Sequence, residues 1–112
     1  MYNPFTIVGK TILVTGAGGG IGRATAIACS KLGAHVLITD INGPALEETL
    51  TMLDTQQSQV HQLFVADLTD AEQLDELVKS VSEIDGLVSN AGISKVLPIP
   101  FVNEKDFNRI TL

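Results

Sequence analysis

The sequence predicts an open, doubly wound α/β fold, a parallel sheet covered by helices on both faces. Three observations carry this. Short apolar runs recur at Thr11 to Val14, Ala34 to Thr39, about Val60 to Ala66 and Gly86 to Ser89. Helical patterns separate them, and each run ends in a residue suited to ligand chemistry: Gly16, Asp40, Asp67 and Asn90. Unbroken apolar runs suit strands buried on both faces, and strict alternation with helices implies right-handed βαβ crossovers. The expected strand order is 3-2-1-4, with a topological switch between strands one and four and one crevice along the carboxyl ends of the strands.

Residues 1–10 are a short lead-in. Gly9-Lys10-Thr11 matches the tail of a Walker A loop, but Pro4 stands where that motif needs glycine, so it reads as a turn. The first helix runs from about Gly20 to Leu32, with Ile21, Ala24, Ala26, Ile27, Ala28, Cys29 and Leu32 implying close packing on several faces, and Gly33 stops it. Gly43-Pro44 opens a second helix with proline at its first position. Leu46, Leu50 and Leu53 form its buried stripe, while Glu47 and Glu48 complement its positive end. Thr69-Asp70-Ala71-Glu72 reads as a capping box before a third helix carrying Leu74, Leu77, Val78 and Val81. Pro98-Ile99-Pro100 breaks structure, and Asn103-Glu104-Lys105-Asp106 starts a last helix with Phe107 and Ile110 on one side.

Within Gly16-Ala17-Gly18-Gly19-Gly20-Ile21-Gly22 the glycines do separate things. Gly16 permits a tight turn off the strand, Gly20 lets backbone approach a ligand, and Gly22 lets the new helix pack close. The unpaired first-turn N–H groups and the helix dipole suit a pyrophosphate. Gly18, Gly19 and Ile21 belong to the same candidate phosphate site. Asp40 follows Gly22 at the spacing expected for a carboxylate that binds an adenosine ribose, with Ile41 beside it; a helix cap or a solvated charge is the competing reading. This is the pattern of a Rossmann-type sheet.

The 112 residues suffice for one domain, 45% of them hydrophobic. Seven basic against thirteen acidic residues give a net charge of −6, and no basic patch suits nucleic acid or an anionic membrane. No stretch reaches the ~20 apolar residues of a membrane span, and the N-terminus lacks the features of a secretion signal. Cys29, as the single cysteine, excludes an internal disulfide and reads as a small buried hydrophobe. His35 and His61 begin strands two and three, at the end away from the crevice, and no metal site is expected. A cytoplasmic setting fits.

Thr15-Gly-x-x-x-Gly20-Ile21-Gly22, followed by Asp67-Leu68-Thr69 and Asn90-Ala91-Gly92, resembles the short-chain dehydrogenase/reductase family from about residue 9 onward. The resemblance implies an oxidoreductase that moves hydride between a nicotinamide cofactor and a carbonyl or alcohol, as a homo-oligomer. It implies that Asp67 and Leu68 flank the adenine, although Asp67 also suits a helix cap. Asn90 would brace the sheet, and Ala91 and Gly92 would approach the nicotinamide-side ribose. Asp40 favours NAD over NADP, because a carboxylate repels a 2′-phosphate and no Lys or Arg lies between Asp40 and Glu47, although Arg23 could swing in.

The family's Tyr-x-x-x-Lys pair is absent: Tyr2 is the only tyrosine, with Thr6 four residues on. No catalytic residue is assignable, and the chain reads as the N-terminal, cofactor-binding portion of a longer enzyme whose C-terminal half is missing. Strand four is then expected to be an unpaired edge that promotes self-association. Two other readings compete. One is a nonenzymatic NAD-binding or redox-sensing module. The other is an S-adenosylmethionine-dependent methyltransferase, disfavoured by the Gly16–Gly20 spacing and by Asn90-Ala91-Gly92.

Overall fold

The computed structural model describes residues 6–81, 83–90 and 95–98, the last four by backbone alone. Strand β1 (Thr11–Thr15) leads into helix α1 (Gly20–Lys31), followed by β2 (His35–Asp40), α2 (Gly43–Thr51), β3 (Gln62–Val65), α3 (Ala71–Ser80), β4 (Gly86–Ser89) and β5 (Lys95–Pro98). The strands form one sheet in the order β3-β2-β1-β4-β5. The first four are parallel, as the 3-2-1-4 order requires, with Val14 of β1 opposite Ile38 on one side and Val88 on the other.

Alternation along each strand sends neighbouring side chains to opposite faces, and both faces are covered. Ile12, Val14, Val36, Ile38 and Val88 pack with Ala26 of α1, Leu46 of α2 and Leu53 just beyond it. Leu13, Leu37 and Leu87 pack on the other face with Leu74 and Leu77 of α3. Two-sided burial is why β1, β2 and β4 read as continuous apolar runs rather than alternating ones. Each fully buried leucine or isoleucine contributes roughly 1.5–3 kcal/mol.

Several local expectations need correction. The buried stripe of α1 is Gly22, Ala26 and Ser30. Ile21, Ala24, Ala28 and Leu32 are exposed, so only one face of this helix is packed. The third helix is capped one residue later than the Thr69–Glu72 box: Asp70 accepts from the Glu72 and Gln73 N–H groups, and Gln73 Nε2 reaches back to Asp70 Oδ2 at 3.3 Å. Nor is β4 an unpaired edge. β5 pairs with it antiparallel from Gly86↔Pro98 to Ser89↔Lys95, which removes the premise for self-association through that edge. Pro98 therefore ends an edge strand, a place where proline is tolerated. Tyr2, Ala91, Gly92 and the helix expected from Asn103, with Phe107 and Ile110, lie outside the described residues.

At the amino-terminal rim both histidines serve the backbone. Val36 N–H donates to His61 Nδ1 at 3.0 Å, and His61 Nε2 lies 2.6 Å from the Asp54 carbonyl oxygen. With Nδ1 accepting, Nε2 carries the proton and donates. Val60 N–H donates to His35 Nδ1 at 2.9 Å. Beside them lies a hollow of about 350 Å³, lined by Thr11, His35, Leu37, Gln62, Ser80 and Glu83 among others. It holds no glycine loop and no helix start, and the candidate ligand-binding residues stand at the opposite rim.

Candidate functional site

At the carboxyl ends of the strands, Gly16 leaves β1 with φ +65° and Gly20 enters α1 with φ +55°, values that glycine adopts at little cost. A Cβ at Gly19 or Gly20 would meet no atom within 4 Å. Gly22 is the opposite case: a Cβ there would overlap the Gly16 carbonyl oxygen and lie 2.6 Å from its carbon. So α1 starts as close to the β1 turn as backbone allows, while the loop above it faces open space. Helix α1 also begins without a capping side chain. By contrast, Asn42 Oδ1 caps α2 by accepting from Ala45 N–H at 3.0 Å, and Asp70 caps α3. The N–H groups of the first turn of α1, with the positive end of the helix dipole behind them, suit an anion.

Asp40 closes over this loop. Its Oδ2 accepts from Gly18 N–H at 2.8 Å and its Oδ1 from Asn42 N–H at 3.1 Å. The cap of α2 is Asn42, so the helix-cap reading of Asp40 does not hold. A carboxylate has about four acceptor positions, and each oxygen keeps capacity for a further donor. Ile21 and Ile41, 72% and 68% exposed, bracket the loop with apolar surface that a flat ligand could cover.

Arg23 does not stand ready to swing toward a phosphate. Its Nη2 donates to the Gly18 carbonyl at 2.9 Å and to the Ala45 carbonyl at 3.2 Å, its Nε donates to Thr49 Oγ1 at 2.9 Å, and its Nη1 lies 3.5 Å from Glu48. Arg23 and Thr49 escaped the sequence reading as site residues. The available signal was Thr49 on the buried stripe of α2, three residues after Leu46.

Asp67 follows β3. Its Oδ1 accepts from Thr69 Oγ1 at 2.6 Å and from Thr69 N–H at 3.0 Å, and these two donors hold the carboxyl below its ordinary value. The cap of α3 is Asp70, so the cap reading of Asp67 also fails. Leu68 is half-buried and packs toward Leu74 and Leu77. Asn90 ties β4 to β1: its Nδ2 donates to the Thr15 carbonyl at 3.1 Å, and its N–H donates to Thr15 Oγ1 at 3.1 Å. Among the described residues no group of three or more His, Cys, Asp or Glu could hold a metal ion, and no helix is long and apolar enough to cross a membrane.

A sequence profile described as short chain dehydrogenase matches residues 10–111. The chain belongs to the short-chain dehydrogenase/reductase family. Curated members of the family that it resembles include the 3-oxoacyl-[acyl-carrier-protein] reductase FabG of Rickettsia bellii, 42% identical over 103 residues, covering 91% of this chain and 41% of that protein. Estradiol 17-beta-dehydrogenase 11 of Rattus norvegicus is 39% identical over 92 residues, covering 79% of this chain and 30% of that one. Among solved short-chain dehydrogenase/reductase structures, the citronellol catabolism dehydrogenase AtuB of Pseudomonas aeruginosa PAO1 superposes with TM-score 0.71 at 32% identity, covering 98% of this chain and 46% of that one. The L-sorbose reductase of Gluconobacter frateurii, complexed with NADPH and L-sorbose, gives TM-score 0.71 at 28% identity, covering 91% and 40%. The chain thus spans less than half the length of these relatives.

Proposed function

We propose that the crevice binds a nicotinamide dinucleotide, NAD in preference to NADP, and that the intact protein is an oxidoreductase of carbonyl or alcohol substrates. The observation that carries this reading is the pairing of an uncapped helix start with the carboxylate that ends β2, bonded to the same loop through Asp40 Oδ2 and Gly18 N–H at 2.8 Å. The open space at Gly19 and Gly20 fits phosphate groups, since there is no Cβ to exclude them. In this reading Gly16, Gly18, Gly19, Gly20, Ile21 and Gly22 hold the pyrophosphate end. Asp40 and Ile41 hold the adenosine ribose, and Asp67 and Leu68 border the adenine. Asn90 keeps β1 and β4 together beneath the nicotinamide end, which Ala91 and Gly92 approach. The bound nicotinamide supplies or accepts the hydride; this chain's residues bind and orient it.

NADPH is the ligand named for the L-sorbose reductase structure. For this chain the local charge argues for NAD. A carboxylate at position 40 repels a 2′-phosphate, and Arg23, the basic residue nearest the loop in sequence, spends its donors on Gly18, Ala45 and Thr49. A cytoplasmic homo-oligomer acting on a small carbonyl or alcohol compound completes the proposal.

Titration of the intact protein with NADH, NADPH and S-adenosylmethionine tests it. We expect NADH to bind about tenfold tighter than NADPH, the size of one nearby charge repulsion, and S-adenosylmethionine not to compete. Binding of neither dinucleotide would refute the reading, and tighter binding of NADPH would refute the NAD preference. The 112-residue chain alone is expected to show no ketone reduction with NADH, because its single tyrosine, Tyr2, has no lysine four residues on.

A further inference from the structure

We propose that Arg23 is a positioning residue for the cofactor loop, working with Thr49 from behind the loop to hold the Gly18 peptide in its ligand-ready orientation. This rests on the dinucleotide reading above. Gly18 is gripped at both flanking peptide groups: Asp40 Oδ2 accepts from its N–H at 2.8 Å, and Arg23 Nη2 donates to its carbonyl at 2.9 Å. The preceding carbonyl, of Ala17, accepts from Thr49 Oγ1 at 2.7 Å. Thr49 is fully buried, and its hydroxyl also lies 3.2 Å from the Ala45 carbonyl. One hydroxyl has one proton. The shorter contact, to Ala17, takes it, and Arg23 Nη2 at 3.2 Å serves Ala45 instead.

Arg23 Nε in turn donates to Thr49 Oγ1 at 2.9 Å, orienting that hydroxyl toward Ala17. Two consecutive loop carbonyls are therefore turned back toward α2. In a planar trans peptide the Gly19 N–H is antiparallel to the Gly18 carbonyl, so holding that carbonyl toward Arg23 also fixes which way the Gly19 N–H faces. A planar guanidinium meets this set of acceptors with a fixed fork, which a lysine ammonium on a flexible stem does not reproduce. The Glu48 contact at 3.5 Å is half-exposed and adds little.

The experiment is a titration of the intact protein with NADH, NADPH and ADP, alongside its thermal midpoint, for wild type, Arg23→Ala, Arg23→Lys and Thr49→Val. Arg23→Ala is expected to weaken all three ligands by the same factor of about ten, at a temperature where the variant is fully folded, because one charge-assisted hydrogen bond to the loop is gone. Arg23→Lys is expected to recover only part of that loss, and the NADH-to-NADPH ratio is expected to stay at its wild-type value. A lowered midpoint with unchanged affinities would overturn the proposal in favour of a purely structural role. Selective loss of NADPH would overturn it in favour of direct phosphate binding. If Arg23→Ala does not fold, Thr49→Val decides, since it keeps volume and removes only the shared hydroxyl: parallel weakening supports the proposal and unchanged affinity overturns it. A wild-type protein that binds none of the three would instead sink the dinucleotide reading itself.

Discussion

Replacing Gly22 by alanine sets helix propensity against packing. In a helix interior alanine is favoured over glycine by about 0.5–1 kcal/mol, so propensity alone makes the change stabilising. The surroundings oppose it. Besides overlapping the Gly16 carbonyl oxygen, the new Cβ would lie 2.6 Å from the Gly16 carbonyl carbon and 3.1 Å from Ala17 Cα. These are backbone atoms, and no side-chain rotation relieves them. Restoring an ordinary 3.4 Å contact with that carbon alone moves the helix by about 0.8 Å, the nearer oxygen demands more, and overpacking of this kind costs ~1–3 kcal/mol. The difference runs from about zero to about 2.5 kcal/mol against the variant, and the overlap with the Gly16 oxygen, closer than the carbon contact, puts it in the upper part of that range. The first-turn N–H groups of α1 move with the helix, away from where they would meet a phosphate, so affinity falls along with stability. Thermal denaturation and an NADH titration of Gly22→Ala should thus both show losses. A variant with an equal or higher midpoint and wild-type affinity would refute the reasoning.

Asn90→Ala removes the donor to the Thr15 carbonyl and should destabilise the protein by about 1 kcal/mol in denaturant titration; no change would mean that the bond at 3.1 Å contributes nothing net. For Asp67 the folded-state pKa is depressed below 3.8, so the stabilisation from the Thr69 donors is present at neutral pH and is lost as pH falls through the folded value. Thr69→Val, which removes the hydroxyl donor, should move the Asp67 titration observed by NMR up toward 3.8, and an unmoved titration would contradict the cause assigned here. Burial pushes the Cys29 thiol above 9.0, leaving little thiolate at neutral pH; alkylation of the native protein should be far slower than of the denatured chain, and equal rates would count against burial as the cause.

The sheet was legible because its signal is local and redundant. Strands β1, β2 and β4 are buried on both faces, so an apolar run flanked by turn residues is enough to find them. The glycine roles followed for the same reason, since Gly16, Gly20 and Gly22 each answer a steric question posed by a neighbour close in sequence. Errors arose where a long-range partner or a single residue's backbone decides. The cap of α3 shifted from Thr69 to Asp70 because Asp70 is the residue with extended backbone, φ −90° and ψ 117°. β3 starts later than Val60 because the His61 ring, rather than a backbone carbonyl, takes the Val36 N–H and bonds the Asp54 carbonyl. Arg23 was invisible as a loop anchor since its bond to Gly18 is fixed by α2 partners, Ala45 and Thr49, that lie 22 and 26 residues away. The antiparallel pairing of β5 left no pattern in four residues.

The ring of His61 has a consequence for how this sheet ends. By accepting the Val36 N–H, an imidazole stands in for the carbonyl that one more rung of ladder would have supplied. The chain is thereby free to turn away two residues early without stranding a peptide donor. Strand length on this side is set by a side chain rather than by the backbone's own pairing. His61→Leu would keep the bulk yet leave an amide without its acceptor, and amide hydrogen exchange at Val36 would accelerate first.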